Sequence, residues 1–398
     1  MVARGFCWMW LQGLSLAFLM LLVLSGCGGE SGSEGDTQAG GDTQAGSSDT
    51  AHLTDTNIQT VNDLIAKEME DKNLPGVVVG VWTPDEGEYV TAQGTANLDT
   101  GRARELEDPF RIASITKTFT GTAILQLVDE GKLSKSDPLS TWYPDFPNAD
   151  EITVDNLLRM RSGMVDPFAS DDFLQSYYDN PEANITPEDM IKAATARADE
   201  FEPPDQKTEY NNLNFVLLGE IVGKVSGSDL GTQISQGIFD PLGMENSLYP
   251  TNDQLPGELR GDSLNSETDE FEDKTILNPS VPGAAGAIIS GISDMRIYAR
   301  ALCTGDLLEP ETQAARLETQ QMDGEADFIK YGEGILQLGK FCGHNGTIFG
   351  FSSEMFYLPE EDTVILVNVN RLDVNDQSKS TDLFLAISKT FFPEYVDW

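Results

Sequence analysis

Strand-like segments gather at the two ends of the globular part of this chain, with few between them, and this distribution limits the fold more than any other feature. Early on, Gly76-Val-Val-Val-Gly-Val-Trp82 reads as a buried strand. Glu88 to Ala96 reads as its hairpin partner across the turn Pro84-Asp-Glu-Gly87. Late in the chain, strand character returns at Ala285 to Ser290, Tyr331 to Leu338, His344 to Leu358 and Thr363 to Asn370. From 132 to about 280 the pattern is helical and irregular. A short helix covers Thr153 to Met160, and another starts at Thr186 with Pro187 in its first position. Further helices cover 213 to 225 and Gly231 to Phe239. Ile58, Val61, Leu64, Ile65 and Met69 mark an amphipathic helix ahead of the first strand. A helix capped by Ser293 is expected to reach about Leu302, and a last one spans 378 to 391. No βαβ alternation appears, which disfavours a parallel Rossmann-type sheet. The reading is an α+β fold: one antiparallel sheet formed from both chain ends, flanked by helices, with a mainly helical lobe beside it.

The N-terminus reads as a targeting segment. Residues 6 to 24 are apolar behind the single basic Arg4, and Leu24-Ser-Gly-Cys27 follows. This resembles a bacterial lipoprotein signal, which implies cleavage before Cys27 and acylation of its thiol; the alternative is an uncleaved membrane anchor. Residues 27 to 54 are rich in Gly, Ser, Asp and Thr and repeat Gly-Asp-Thr-Gln-Ala-Gly in tandem from Gly35 and Gly41. Such a stretch buries no core, and about 27 flexible residues reach roughly 30 Å. The expected organisation is a signal at 1–26, a linker at 27–54 and one domain at 55–398. His52 falls in the linker and so is a poor catalytic candidate. The localisation expected is the cell envelope, exported and tethered through Cys27.

Acidic residues outnumber basic ones 66 to 25, a formal net charge of −41, so nucleic acid and anionic lipid surfaces are repelled. The acidity fits a secreted protein or a high-salt habitat, and export is the favoured reading. With 39% apolar residues a full core is within reach. The chain has neither Cys-x-x-Cys nor His-Glu-x-x-His and only two histidines, so no metal site and no cofactor is expected. Once Cys7 and Cys27 are set aside, Cys303 and Cys342 are the remaining thiols, and in an oxidising compartment they are expected to pair.

Three stretches carry the chemistry. In Phe110-Arg-Ile-Ala-Ser-Ile-Thr-Lys-Thr-Phe-Thr120, Ser114 and Lys117 stand at i and i+3 at the mouth of an apolar run ending at Gly131. On a helix that spacing sets an amine beside a hydroxyl, and a helix start offers unpaired N–H groups for an oxyanion. Glu209-Tyr-Asn-Asn212 precedes the helix of Leu213, and Cys342-Gly-His-Asn-Gly-Thr347 opens a strand in which small residues permit close approach. Each stretch alone has a plain structural reading: a capped helix with a surface lysine, a second capped helix, a structural histidine.

Taken in this order, the three resemble the serine β-lactamase and penicillin-binding protein superfamily, closest to the branch of class C β-lactamases, DD-carboxypeptidases and related esterases. The motifs are Ser114-Ile-Thr-Lys117, Tyr210-Asn-Asn212 and His344-Asn-Gly346. Similar text between them includes Leu127-Val-Asp-Glu-Gly-Lys-Leu133, Ser162-Gly-Met164, Pro241-Leu-Gly-Met244 and Ala285-Gly-Ala-Ile-Ile-Ser290 with Ser293-Asp294, so the likeness covers about 58 to 390. The resemblance implies a β-lactamase/transpeptidase-like fold and an exported serine hydrolase. The implied substrates are D-Ala-D-Ala peptides, β-lactams, or small esters and amides. Ser114 would be acylated, with Lys117 and Tyr210 sharing the general-base work. Asn212 would bind Lys117 and substrate. His344, Asn345 and Gly346 would line the strand side, and the N–H groups of Ser114 and Thr347 would hold the oxyanion. Acting as a base near pH 7 asks a downward shift of roughly three pH units from lysine or tyrosine, attributed here to their proximity in a partly dry cleft.

Two departures stand out: Arg159-Met-Arg-Ser-Gly163 replaces a Thr-His-Thr-Ser-Gly pattern, and Pro203-Pro-Asp-Gln-Lys207 replaces a Pro-Gly-Thr approach to the tyrosine. Histidine rather than lysine at 344 points toward carboxypeptidase- or esterase-type members. The competing reading is a non-catalytic penicillin-binding-like lipoprotein that binds peptide or scaffolds a partner. A Ser-His-Asp hydrolase is disfavoured, since no Gly-x-Ser-x-Gly elbow exists.

Overall fold

The structure is a computed structural model that describes residues 51–265 and 268–396. The signal, Cys7, Cys27 and most of the linker lie outside the described residues. The described body starts a little earlier than expected: His52, placed in the linker by sequence, is buried. Its N–H donates to Glu86 and its Nδ1 donates to the Phe391 carbonyl at 2.8 Å.

Helix α1 (Asp55–Asp71) leads into strands β1 (Gly76–Thr83), β2 (Gly87–Asn97) and β3 (Arg102–Ala103). After the helical lobe come β4 (Gln320–Gln321), β5 (Ile329–Tyr331), β6 (Leu336–Leu338), β7 (Phe341–Ile348), β8 (Phe351–Leu358) and β9 (Thr363–Val369). Together they form one nine-stranded antiparallel sheet in the order β3-β2-β1-β9-β8-β7-β6-β5-β4. The ends of the chain meet where β1 pairs with β9, Val77 opposite Val369 and Trp82 opposite Val364. Both strands are buried on both faces, which explains why each reads as an unbroken apolar run rather than an alternation. This is the expected α+β architecture.

Helices α2 (Thr116–Asp129), α3 (Asn212–Ser226), α4 (Ile292–Thr304) and α5 (Lys379–Phe391) complete the frame. On one face of the sheet Met295 of α4 meets Met355 of β8 around a small cavity. On the other, α5 packs so that Ser380 and Thr381 donate to Glu354. Cys303 at the end of α4 and Cys342 at the start of β7 form a disulfide, as expected.

Several boundaries differ from the sequence reading. The stretch expected as a strand from Ala285 is a helical turn, Gly283–Gly286, and only Ile289–Ser290 is extended, pairing with Phe110–Arg111. Ser293 does not cap α4; the cap position is Gly291, with no side-chain bond. The run from His344 to Leu358 is two strands that reverse at Phe349-Gly350, where Gly350 takes φ +83°. A polar hairpin, Asp262–Asn265 with Glu270–Asp273, lies in the region expected to be mainly helical.

Candidate active site

Helix α2 runs through the core, buried on every side from Thr116 to Leu125. Its threonines are tolerated there because each hydroxyl has a backbone partner. Thr118 donates to the Ile115 carbonyl, Thr120 to that of Ala284 and Thr122 to that of Thr118, while Thr116 accepts from the Ile288 N–H. These bonds tie the helix to the Gly283–Gly286 turn and fix its first residues. Ser114 sits just ahead, in the 3₁₀ turn Ala113–Ile115, and Ala113 holds φ +50°, a left-handed backbone that costs energy in any residue with a Cβ. The strain is local to the residue that presents the serine.

Lys117 is fully buried, and its Nζ has three neighbours: Ser114 Oγ at 3.0 Å, Asn212 Oδ1 at 2.8 Å and the Ala285 carbonyl at 2.9 Å. Burial lowers its pKa to about 7, and the Asp166 charge opposes that shift. The two carbonyl oxygens accept only, so they take both hydrogens of a neutral amine. Its lone pair is then left facing the serine hydroxyl.

Tyr210 lies beside this group, with Lys117 Nζ 4.8 Å from its ring centroid. Its hydroxyl is buried without a regular hydrogen bond, near enough to Ser114 for the serine to favour its ionised form slightly. Burial dominates and drives its pKa well above 10. Proximity in the cleft was expected to lower the pKa values of lysine and tyrosine alike. The structure separates them instead, because desolvation favours the neutral form of each, an unprotonated amine and a protonated phenol.

Asn212 opens α3, and the helix cap is Asn211, whose side chain accepts from the Leu213 N–H. Asp166, which sequence reasoning did not single out, accepts from both the backbone and side-chain N–H of Asn212, each at 2.8 Å, and from the Phe168 N–H at 3.0 Å. The two sequence departures fall on the support of this corner. Arg159 donates to Glu333 and to the Ala315 and Glu318 carbonyls, and Arg161 donates to Asp205 and Thr208. Arg161 thus anchors the segment that leads into Tyr210.

His344 on β7 is fully buried and its pKa falls to about 3, through burial first and the Lys117 charge second. Its Nδ1 donates to the Asn345 carbonyl, which leaves Nε2 to accept from Tyr331, 3.3 Å away. Tyr331 also meets Tyr210 edge-on at 6.2 Å. Gly346 faces the serine turn: a Cβ there would lie 2.3 Å from the Ile112 carbonyl and 3.0 Å from the Ser114 nitrogen. Strand alternation then puts Asn345 and Thr347 on the other face. Asn345 is paired with Glu354, whose side chain meets α5. The expected substrate contact from the Asn345 side chain is therefore corrected: it points away from Ser114. Thr347 keeps only its backbone at the cleft.

The five side chains at 114, 117, 210, 212 and 344 thus converge, while Asn345 does not. Among the described residues the one histidine–carboxylate group, His52 with Glu361 and Glu394, lies at the β8–β9 turn and the end of α5 rather than at Ser114.

Comparison with known proteins agrees with this geometry. The family model described as Beta-lactamase matches residues 61–387. PbpX of Bacillus subtilis, named as a candidate penicillin-binding protein, is 27% identical over 329 residues, covering 80% of this chain and 76% of that one. Among solved structures, a D-stereospecific amidohydrolase from Streptomyces sp. superposes with a TM-score of 0.73 at 26% identity, covering 85% of this chain and 99% of the other. A penicillin-binding protein from Bacillus halodurans gives 0.70 at 27%, covering 81% and 99%.

Proposed function

The chain belongs to the β-lactamase family of serine hydrolases, and on that premise we propose that it is an exported acyl-enzyme hydrolase with Ser114 as nucleophile. The observation that carries this reading is the three-way arrangement around Lys117 Nζ: once the buried amine is neutral, the Asn212 and Ala285 oxygens take its two hydrogens and its lone pair faces Ser114 Oγ. In this reading Lys117 takes the serine proton as the hydroxyl attacks a carbonyl carbon. The N–H groups of Ser114 and Thr347 hold the oxyanion, each donor worth about 10²- to 10³-fold. Tyr210, held protonated, gives its proton to the leaving group. In the acyl-enzyme the resulting ammonium and phenolate offset one another. By microscopic reversibility the phenolate takes a proton from the incoming water, and Lys117 returns its proton to Ser114.

The substrates proposed are amides or esters of the kind split by penicillin-binding proteins and D-stereospecific amidohydrolases: D-Ala-D-Ala peptides, β-lactams and small D-amino-acid amides or esters. The tether proposed is a lipid at Cys27, which Cys27→Ser would abolish, releasing the protein from membranes. The test of the chemistry is intact-mass spectrometry after exposure to a β-lactam and, separately, to a fluorophosphonate. One adduct on Ser114, absent from Ser114→Ala, supports the reading. No adduct from either reagent, or one that persists in the alanine variant, overturns it and favours a non-catalytic envelope protein.

A further inference from the structure

We propose that Asp166 is a positioning residue that fixes the direction of the Asn212 amide and, through it, aims the Lys117 lone pair at Ser114. The inference rests on the acyl-enzyme reading above but concerns a residue no motif includes. An asparagine amide has the same shape in either orientation, so its neighbours alone decide which end faces Lys117. Asp166 Oδ2 accepts from both the N–H and the Nδ2–H of Asn212, and Oδ1 accepts from Phe168, so three donors converge on one carboxylate. Reversing the Asn212 amide would set its oxygen against Asp166 and its NH₂ against Lys117, a mismatch at both ends. With the amide held, Oδ1 draws one Lys117 hydrogen and the Ala285 carbonyl draws the other. Were the amide free to turn, its NH₂ would occupy the amine's lone pair and quench the base.

The carboxylate also acts through charge. The titratable and charged groups around Lys117 are Asp166, Tyr210 and His344, with Tyr331 behind the last two; Arg197 feels the Asp166 charge from the helical lobe. Of these, Asp166 is the one carboxyl: burial raises its pKa, the Asn212 and Phe168 donors and Lys117 pull it back, and its charge opposes the loss of the Lys117 charge. Removing its charge while keeping its shape should let Lys117 lose its proton more easily.

The test pairs a titration with a rate. NMR of lysine labelled at Cε, assigned with Lys117→Arg, reads the Lys117 pKa without any substrate. The expected result is a fall of about one pH unit in Asp166→Asn. Fluorophosphonate labelling of Ser114 should slow about 100-fold in Asp166→Ala, where the amide is free to turn. In Asp166→Asn the acid limb of the labelling profile should move to lower pH, in step with the titration. A Lys117 pKa unchanged in Asp166→Asn, or an Asp166→Ala variant that labels at the wild-type rate, overturns the proposal. Should wild-type Ser114 resist the reagent altogether, the hydrolase reading fails on its own, and the titration still decides the part played by Asp166. The asparagine variant keeps the fold in view if the alanine variant does not express.

Discussion

Two fully buried ionisable groups lie on either side of the sheet, and burial pushes both toward neutrality with opposite consequences. Lys117 is lowered to about 7, and Glu354 is raised to about 8. Glu354 Oε1 accepts from Ser380 and Thr381, Oε2 has no hydrogen-bond partner, and the cluster is sealed beneath α5. Lys117 instead has one neighbour that is both nucleophilic and partly exposed, Ser114. A shifted pKa therefore marks buried charge, and becomes chemistry only where a reactive group and a path to solvent accompany it.

The comparison breaks most visibly by substitution on the Lys117 side. Ser114→Ala should abolish the adduct, and Lys117→Ala should lower the rate of Ser114 acylation by about 10⁴-fold in single-turnover labelling, while Glu354→Gln leaves it unchanged. On the Glu354 side the effect is on stability. A carboxyl raised from 4.5 to about 8 in the folded state contributes most below pH 4.5, and that contribution drains away as pH rises toward about 8. The gap amounts to at most about 5 kcal/mol. Thermal melts should show Glu354→Gln matching wild type near pH 4 and exceeding it increasingly up to pH 8.

Smaller effects sharpen the boundary between the two regions. Removing the Cys303–Cys342 bridge, which spans 39 residues between α4 and β7, should cost about 4 kcal/mol of stability in denaturant melts. The pH limb of Ser114 labelling should stay where it was. Gly346→Ala should slow acylation about 10²-fold with a clear loss of melting temperature, because its Cβ meets the backbone of the serine turn rather than a movable side chain.

Much of the site was legible because its members sit at short fixed spacings on regular elements. Ser114 and Lys117 share a helical face, Tyr210 and Asn212 flank a helix start, and His344 lies within a strand. Asp166 left no such trace: it stands in an irregular loop and reaches Asn212 across 46 positions of sequence. Tyr331 was hidden for a similar reason, since only β5 pairing beside β6 and β7 brings it to His344. Asn345 was misplaced because a contiguous motif was read as a contiguous surface, whereas a strand sends neighbours to opposite faces. In the fold, the apolar run at Ala285–Ile288 fits a buried strand and a buried helical turn equally well. The hairpin at Asp262–Asp273 carries too much charge to register as strand.

The separation of Lys117 from Tyr210 is tested most directly by the pH dependence of Ser114 labelling with a fluorophosphonate under single-turnover conditions. A rate that climbs as pH rises through about 7 and levels above it is the outcome predicted for a neutral Lys117 acting as base. A rate that keeps climbing toward pH 10, the range of an unshifted lysine or a tyrosine base, would contradict it.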